Sequence, residues 1–336
     1  MIQRGHPALV LAPMDGVTDW VMRRLLTQFM PFDYCVTEFI RISGVVPPDH
    51  VFVRDVPELG WGSLTHAGVP VGVQLLGGDP ERLALSAERA ARLGARVIDL
   101  NFGCPAPTVN RHDGGATLLK YPDRIEEIVR AVRGVVPTNI PVSAKLRLGW
   151  DDPKAIFVNA TRAERGGASW ITIHGRTKLQ GYNPPAYWAP IGEVRKRASI
   201  PVIANGEIWS ADDLLRCIDE TGCEHFMLGR GALARLDLVA ECSKVLGASA
   251  GRVTSRSIAE SISWRRMLRE LTRLSQEAGE GEKRTLARLK QWLNYAHRRE
   301  AISWFSEVKR LTSVEDLLSV VEAHSCTQAT RNSLAA

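Results

Sequence analysis

The stretch "ARVIDLNFGCPAPTV", residues 95–109, holds the pattern on which the fold turns. Its first half is a short, nearly continuous apolar run, as a strand buried on both faces requires. The run stops at Asn101, and Gly103 and Pro105 then bracket a thiol, Cys104. Gly103 can take backbone angles closed to other residues. Pro105 fixes its own φ and keeps Cys104 out of the helical region. The pattern predicts a buried strand that ends in a rigid loop presenting one sulfur. A lone cysteine is commonly a small apolar filler, so its weight depends on what other strand ends carry.

Seven further runs of the same kind surround it: "ALVLAPM" (8–14), "DYCVTEF" (33–39), "VPVGVQLL" (69–76), "PVSAKLRL" (141–148), "WITIHGR" (170–176), "PVIANGEI" (201–208) and "HFMLGR" (225–230). Helical periodicity fills most of the intervals, as in "PERLALSAERAARLG" (80–94), "YPDRIEEIVRAVRGVV" (121–136) and "SADDLLRCIDETG" (210–222). Pro80, Pro122 and Ser210 sit at helix starts, Gly94 and Gly222 at helix ends. Eight alternating β/α units predict an α/β chain built as a closed (β/α)₈ barrel; an open doubly wound sheet is the alternative. The pattern changes at "GASAGRVTSR" (247–256), a linker by composition. Only helical periodicity follows, over 257–277, 283–299, 301–311 and 313–323. The predicted organisation is a barrel domain (1–246), a linker (247–256), a helical domain (257–325) and a disordered tail (326–336).

The chain of 336 residues carries a net charge of +6, and the excess is local. Lys283, Arg284, Arg288, Lys290, Arg298, Arg299, Lys309 and Arg310 are opposed between residues 283 and 310 only by Glu300 and Glu307. The remaining 35 basic and 35 acidic side chains cancel. A neutral body thus carries one basic segment, and such a segment suits a polyanion. The six cysteines show neither CxxC nor zinc spacing. No apolar run reaches membrane-spanning length, and the N-terminus lacks signal-peptide form. A reduced, cytoplasmic, monomeric protein without metal is expected.

In a (β/α)₈ barrel chemistry gathers at the C-terminal strand ends. Here those ends carry Pro13, Met14 and Asp15; Gln74; Asn101 and Cys104; Lys145 and Arg147; His174 and Arg176; Asn205, Gly206 and Glu207; and Gly229, Arg230 and Gly231. Polar groups in apolar strands are costly to bury unpaired. One would be an accident, but a set at most strand ends marks a site. "NGEI" and "GRGA" occupy the fold's usual phosphate position, with glycines for close approach and Arg230 as a cation. "GRGALA" also fits G-x-G-x-x-A, but no acidic residue follows about 20 positions on, so a dinucleotide fingerprint is rejected.

Together "APMDGVTD" (12–19), "VQLLG" (73–77), "DLNFGCP" (99–105), "GGATLLK" (114–120), "KLRLGW" (145–150), "HGRT" (174–177), "IANGEI" (203–208) and "LGRGAL" (228–233) resemble the tRNA-dihydrouridine synthases, flavin enzymes that reduce uridine in tRNA. "TEFIR", "HGRTKLQGY" and "RLKQWLNY" are most similar to the bacterial C-type, which modifies uridine 16 of the D-loop; a synthase of the same family acting on another D-loop position is the alternative. The resemblance implies FMN in the barrel mouth, NADPH as reductant and tRNA as substrate. Carried over, Pro13, Met14 and Asp15 line the flavin, Gln74 and Lys145 hydrogen-bond its ring, and His174 lies beside it. Asn205, Gly206, Glu207, Gly229 and Arg230 then hold the ribityl chain and phosphate. Cys104 is the proton donor, Asn101 contacts the base, and Arg41 and Tyr182 lie near the tRNA. Arg176 is a further donor by strand position, and Arg288, Lys290 and Lys309 are expected on phosphates. Pro107 departs from the pattern, standing where relatives often carry a basic residue. The residues by themselves leave open an FMN barrel enzyme acting on a small pyrimidine (dihydroorotate or dihydropyrimidine type), a Schiff-base aldolase built on Lys145, and a tRNA-binding protein with a relic site.

Overall fold

The structure, a computed structural model, describes residues 2–110, 114–247, 262–299 and 301–334. Most of the expected linker lies outside the described residues. The strands are β1 (Ala8–Leu11), β2 (Tyr34–Val36), β3 (Ile40–Arg41), β4 (Val71–Leu76), β5 (Ile98–Asn101), β6 (Val142–Arg147), β7 (Trp170–His174), β8 (Val202–Asn205) and β9 (His225–Leu228). All pairings between them are parallel. The sheet closes because β1 pairs with both β2 and β9 while β2 also pairs with β4. This is the eight-stranded barrel, with its second position divided. Cys35 and Val36 pair Val71 and Gly72, whereas Ile40 and Arg41 pair Leu75 and Leu76. One extra residue is accommodated between the two halves, as in a bulge.

The helices of the barrel are α1 (Trp20–Phe29), α2 (Asp49–Asp55), α3 (Pro80–Arg92), α4 (Pro107–Asn110), α5 (Pro122–Val135), α6 (Ala155–Arg165), α7 (Ala189–Arg197), α8 (Ala211–Thr221), α9 (Arg230–Ala234) and α10 (Leu238–Val245). The cap signals act as expected. Ser210 accepts from the Asp213 amide and Asp79 from that of Arg82, while Gly222 ends α8 in the left-handed region.

Strand alternation sorts the side chains into two cores. Leu9, Leu11, Ile98, Leu100, Ile171, Ile173, Phe226 and Leu228 face the helices and join the larger cluster. Their neighbours Ala8, Val10, Tyr34, Val36, Val97, Trp170, Ile203 and Met227 form a second cluster inside the barrel. Toward the C-terminal ends the same inward positions turn polar, at Gln74, Asp99, Asn101, Ser143, Lys145, His174 and Asn205. Alternation therefore aims these groups into the mouth.

After the barrel come α11 (Trp264–Glu277), α12 (Glu282–His297), α13 (Phe305–Val308) and α14 (Val314–Leu334). Met267, Leu268, Leu271, Leu289, Trp292 and Leu293 belong to the same buried cluster as the barrel's outer face. The buried indole of Trp292 donates to the Leu233 carbonyl (2.9 Å). The backbone of α14 continues as helix through residues 326–334, where a disordered tail is expected; no Gly or Pro interrupts that stretch. No described helix is long and apolar enough to cross a membrane.

Candidate active site

The end of β5 is tied down from several sides. Asn101 Oδ1 accepts the backbone N–H groups of Gly103 (2.9 Å) and Cys104 (3.0 Å). Arg147, two positions beyond Lys145 on β6, donates from Nε to the Gly103 carbonyl (2.8 Å). The Cys104 carbonyl accepts from the Ala116 amide (3.0 Å) and from Asn110 Nδ2 (3.3 Å). Gly115 lies at φ 59°, and a Cβ there would sit 2.9 Å from the Cys104 carbonyl oxygen. A glycine is required for both reasons. The loop is rigid, as its sequence implies, and Cys104 is half-buried on it. Burial, with Asp15 nearby, pushes the thiol up from its ordinary range, against the pull of Arg147 and Arg41. At neutral pH the sulfur holds its proton. Cys35, Cys217, Cys223 and Cys242 are buried.

Across the mouth, the Lys145 ammonium donates to Asn205 Oδ1 (3.1 Å), and Asn205 donates to the Met227 carbonyl (2.8 Å). Burial first, and Arg147 second, push Lys145 down to about 8. His174 is held well below its ordinary value by burial and the surrounding cations. Its Nε2 faces the Arg176 guanidinium at 3.2 Å. A guanidinium only donates, so Nε2 accepts and the ring is neutral. At the end of β8, Gly206 and Glu207 both take positive φ, 117° and 59°. A Cβ at Gly206 would lie 2.9 Å from His174 Cδ2, so glycine leaves room for the imidazole. Met14 and Gly229 meet on the remaining side, where a Cβ on Gly229 would lie 3.4 Å from Met14 Sδ. Pro13 is half-buried beside them and Asp15 is exposed. Tyr182 is exposed at the rim, its ring 6.1 Å from that of His174 and within reach of the Arg147 (5.1 Å) and Arg230 (4.9 Å) guanidinium groups. Arg41, also exposed, donates to the Thr108 carbonyl beside the Cys104 loop (2.9 Å).

Several of the expected site residues have partners within the protein. Arg176 is fully buried and pairs with Glu207 (2.6 Å) while donating to the Asn183 carbonyl (2.8 Å). It supports His174 and Glu207 from behind. Gln74 is fully buried, with Nε2 on Asp99 (2.7 Å) and Oε1 on Asn101 (2.8 Å). It stands one layer beneath the open mouth. Arg288 pairs with Asp19 and Glu280, and Lys290 donates to the Leu311 carbonyl, so both are engaged within the protein. Lys309 is exposed, as expected of a phosphate contact. Sequence reasoning gave no role to Asp99, Ser143, Asn110 or Gly115. The available signal was polar residues at matched inward positions, since Gln74, Asp99 and Ser143 are direct register partners.

A thiol kept protonated thus shares a cation-rich mouth with a half-buried lysine and a neutral histidine. The family model for dihydrouridine synthase matches residues 10–330. A tRNA-dihydrouridine(16) synthase of Shewanella oneidensis is 43% identical over 318 residues, covering 94% of this chain and 97% of the relative. That of Pseudomonas putida is 45% identical over 307 residues, covering 90% and 92%. That of Vibrio parahaemolyticus is 53% identical over 225 residues, covering 67% and 70%. A match across nearly the whole chain, on a barrel whose mouth holds this thiol, makes the protein an oxidoreductase of the dihydrouridine synthase family.

Proposed function

We propose that the protein reduces the C5=C6 bond of a uridine in the tRNA D-loop, at position 16, with FMN as cofactor and NADPH as reductant. The position follows the names of the relatives. The observation that carries the reaction is the protonated, half-buried thiol of Cys104 on a loop fixed at both its amides and its carbonyls.

The residues of the mouth suit FMN. In and beneath the mouth Lys145, Arg147, Arg176 and Arg230 outnumber Asp15, Asp99 and Glu207, and a cation surplus in a cleft favours a phosphate. Gly206 and Gly229 leave the backbone open to close approach, with Arg230 half-buried beside them. On this assignment Asn205, Gly206, Gly229 and Arg230 hold the phosphate and ribityl chain. Pro13, Met14, Asp15, Lys145 and His174 flank the ring, Glu207 acts through Arg176, and Gln74 supports from below. When bound and reduced, FMN supplies a hydride to C6 of uracil.

The chain's own residues do the rest. Cys104 holds a proton at Sγ for delivery to C5. Lys145 presents an ammonium that stabilises charge developing on the base. Asn101 fixes the loop that presents the thiol. The uridine must leave the folded tRNA to enter the mouth. Arg41 and Tyr182 then stand at the rim, where Tyr182 offers a stacking face. Lys309, with exposed Lys283, Arg298 and Arg310, supplies phosphate contacts from the helical domain. The test is incubation of the purified protein with NADPH and unmodified tRNA, followed by mapping of dihydrouridine. Product at position 16 is expected. NADPH oxidation that does not depend on tRNA, with no dihydrouridine formed, overturns the proposal.

A further inference from the structure

Beneath the mouth runs a buried polar chain in which every hydrogen bond has a direction. Ser143 Oγ donates to Asp99 Oδ1 (2.6 Å), and Gln74 Nε2 donates to Asp99 Oδ2 (2.7 Å). Gln74 Oε1 therefore points the other way and accepts from Asn101 Nδ2 (2.8 Å). That leaves Asn101 Oδ1 for the Gly103 and Cys104 amides. Gln74, Asp99 and Ser143 are all at least 98% buried, so water cannot replace a lost partner.

We infer that Asp99 is a positioning residue for proton delivery: it sets the polarity of the Gln74 amide, which sets that of Asn101, which holds the Cys104 loop. The inference rests on Cys104 as the acid. Each amide side chain has one donor and one acceptor end. An acceptor at Asp99 forces the acceptor end of Gln74 toward Asn101, and so the acceptor end of Asn101 toward the loop. Without that acceptor Gln74 is free to turn. Asn101 can then present its NH₂ to two backbone N–H groups, and the loop loses its hold. Register fixes the geometry, because Asp99 lies between Gln74 and Ser143 on adjacent strands.

The test compares Asp99→Leu, which removes the acceptor at similar volume, with Asp99→Asn, whose carbonyl still accepts from Gln74 while its NH₂ faces a hydroxyl that can accept. In flavin-loaded Asp99→Leu, dihydrouridine formation should fall about tenfold or more with little change in KM for tRNA. Hydrogen exchange at the Gly103 and Cys104 amides should rise about tenfold while the rest of β5 keeps its protection. Asp99→Asn should stay within about threefold of the parent on both measures. Unchanged amide exchange in folded Asp99→Leu overturns the inference. If Asp99→Leu does not fold, Gln74→Glu places a carboxylate against Asp99, and adding Asp99→Asn restores a donor there. The double variant should recover dihydrouridine formation about tenfold over Gln74→Glu alone, and no recovery also overturns the inference. Cys104→Ala separates the two ideas. Its retention of full activity would refute Cys104 as the acid, whereas its inactivity beside a fully active Asp99→Leu would refute the role of Asp99.

Discussion

Arg288 of α12 reaches across to the barrel and meets Asp19 at 2.5 Å, and Asp19 is the residue that caps α1. The same guanidinium holds Glu280 at 2.7 Å. Gln291, one turn along, donates to the Gly16 carbonyl (3.1 Å), and Arg299 lies over the Trp209 ring at 3.5 Å. This helix and the turn that follows it thus grip the loop after β1 and the loop after β8, both of which border the mouth. The basic segment is therefore partly an internal brace.

That division is measurable. Arg288→Ala leaves Asp19 without this cation and the nearly buried Glu280 with only the exposed Arg284 (3.0 Å), and breaking such a pair should cost about 2–4 kcal/mol of stability. Urea unfolding should show a lower midpoint at unchanged slope. The salt dependence of tRNA binding should keep its slope in this variant. A double Lys309→Ala, Arg310→Ala variant should do the reverse. Its unfolding should be unchanged, and its salt slope should shrink by about one for each phosphate that no longer meets a cation.

Cys104→Ala should retain flavin and NADPH oxidation by an artificial acceptor, while dihydrouridine formation falls about 10²–10³-fold. The parent enzyme supplies a pH signature. Burial raises the thiol's pKa, so its acid form persists through neutrality and is lost only as pH rises past that raised value. The rate of base protonation should stay level from pH 6 to 8 and fall at higher pH. A rate that falls already between pH 6 and 7 would contradict a neutral thiol donor.

The barrel was legible in the sequence because parallel strands buried on both faces leave continuous apolar runs, and the runs at β1 and β4 to β9 lie inside the expected ranges. The bulge that divides β2 from β3 falls at Thr37 and Glu38, which interrupt the apolar run of "DYCVTEF" (33–39), and β3 lies beyond that expected range. Asn101, Cys104, Lys145, His174 and Asn205 were legible as polar ends of apolar strands. The internal partners of Arg176 and Arg288 were not legible for one reason: charge is visible in sequence, but its partner is not. Glu207 lies 31 residues from Arg176, and Asp19 lies 269 from Arg288. Asp99 was passed over because a carboxylate inside a strand acquires meaning only from the neighbouring strands.

Gly206→Ala probes the cofactor side of the mouth without touching the acid. At φ 117° any side chain is strained, and the new Cβ would meet His174 Cδ2 at 2.9 Å. The combined cost should be about 2–4 kcal/mol. The imidazole must shift, so flavin retention should fall by at least tenfold on dilution. Intact retention would mean that His174 does not flank the ring.

Lys145 gives the final prediction, because its charge lies where a bound anion would be felt. Burial and Arg147 lower its pKa to about 8 in the flavin-free protein, although Asp99 and Cys104 offset part of that shift. Below pH 8 the ammonium is present, and above it the amine takes over. A phosphate-bearing ligand placed nearby favours the charged form and raises the pKa. The complex then holds more protons than the free protein between about pH 8 and 10. By linkage, FMN affinity must fall as pH rises through that window, by up to about tenfold per unit. The second ionisation of a phosphate, near 6, lies below the window and does not interfere. Titration of FMN binding by flavin fluorescence at pH 7, 8 and 9 should show little loss at the first step and a clear loss at the second. Lys145→Met should bind more weakly at pH 7 and lose the dependence. A parent affinity level from pH 7 to 9 would remove Lys145 from contact with the cofactor.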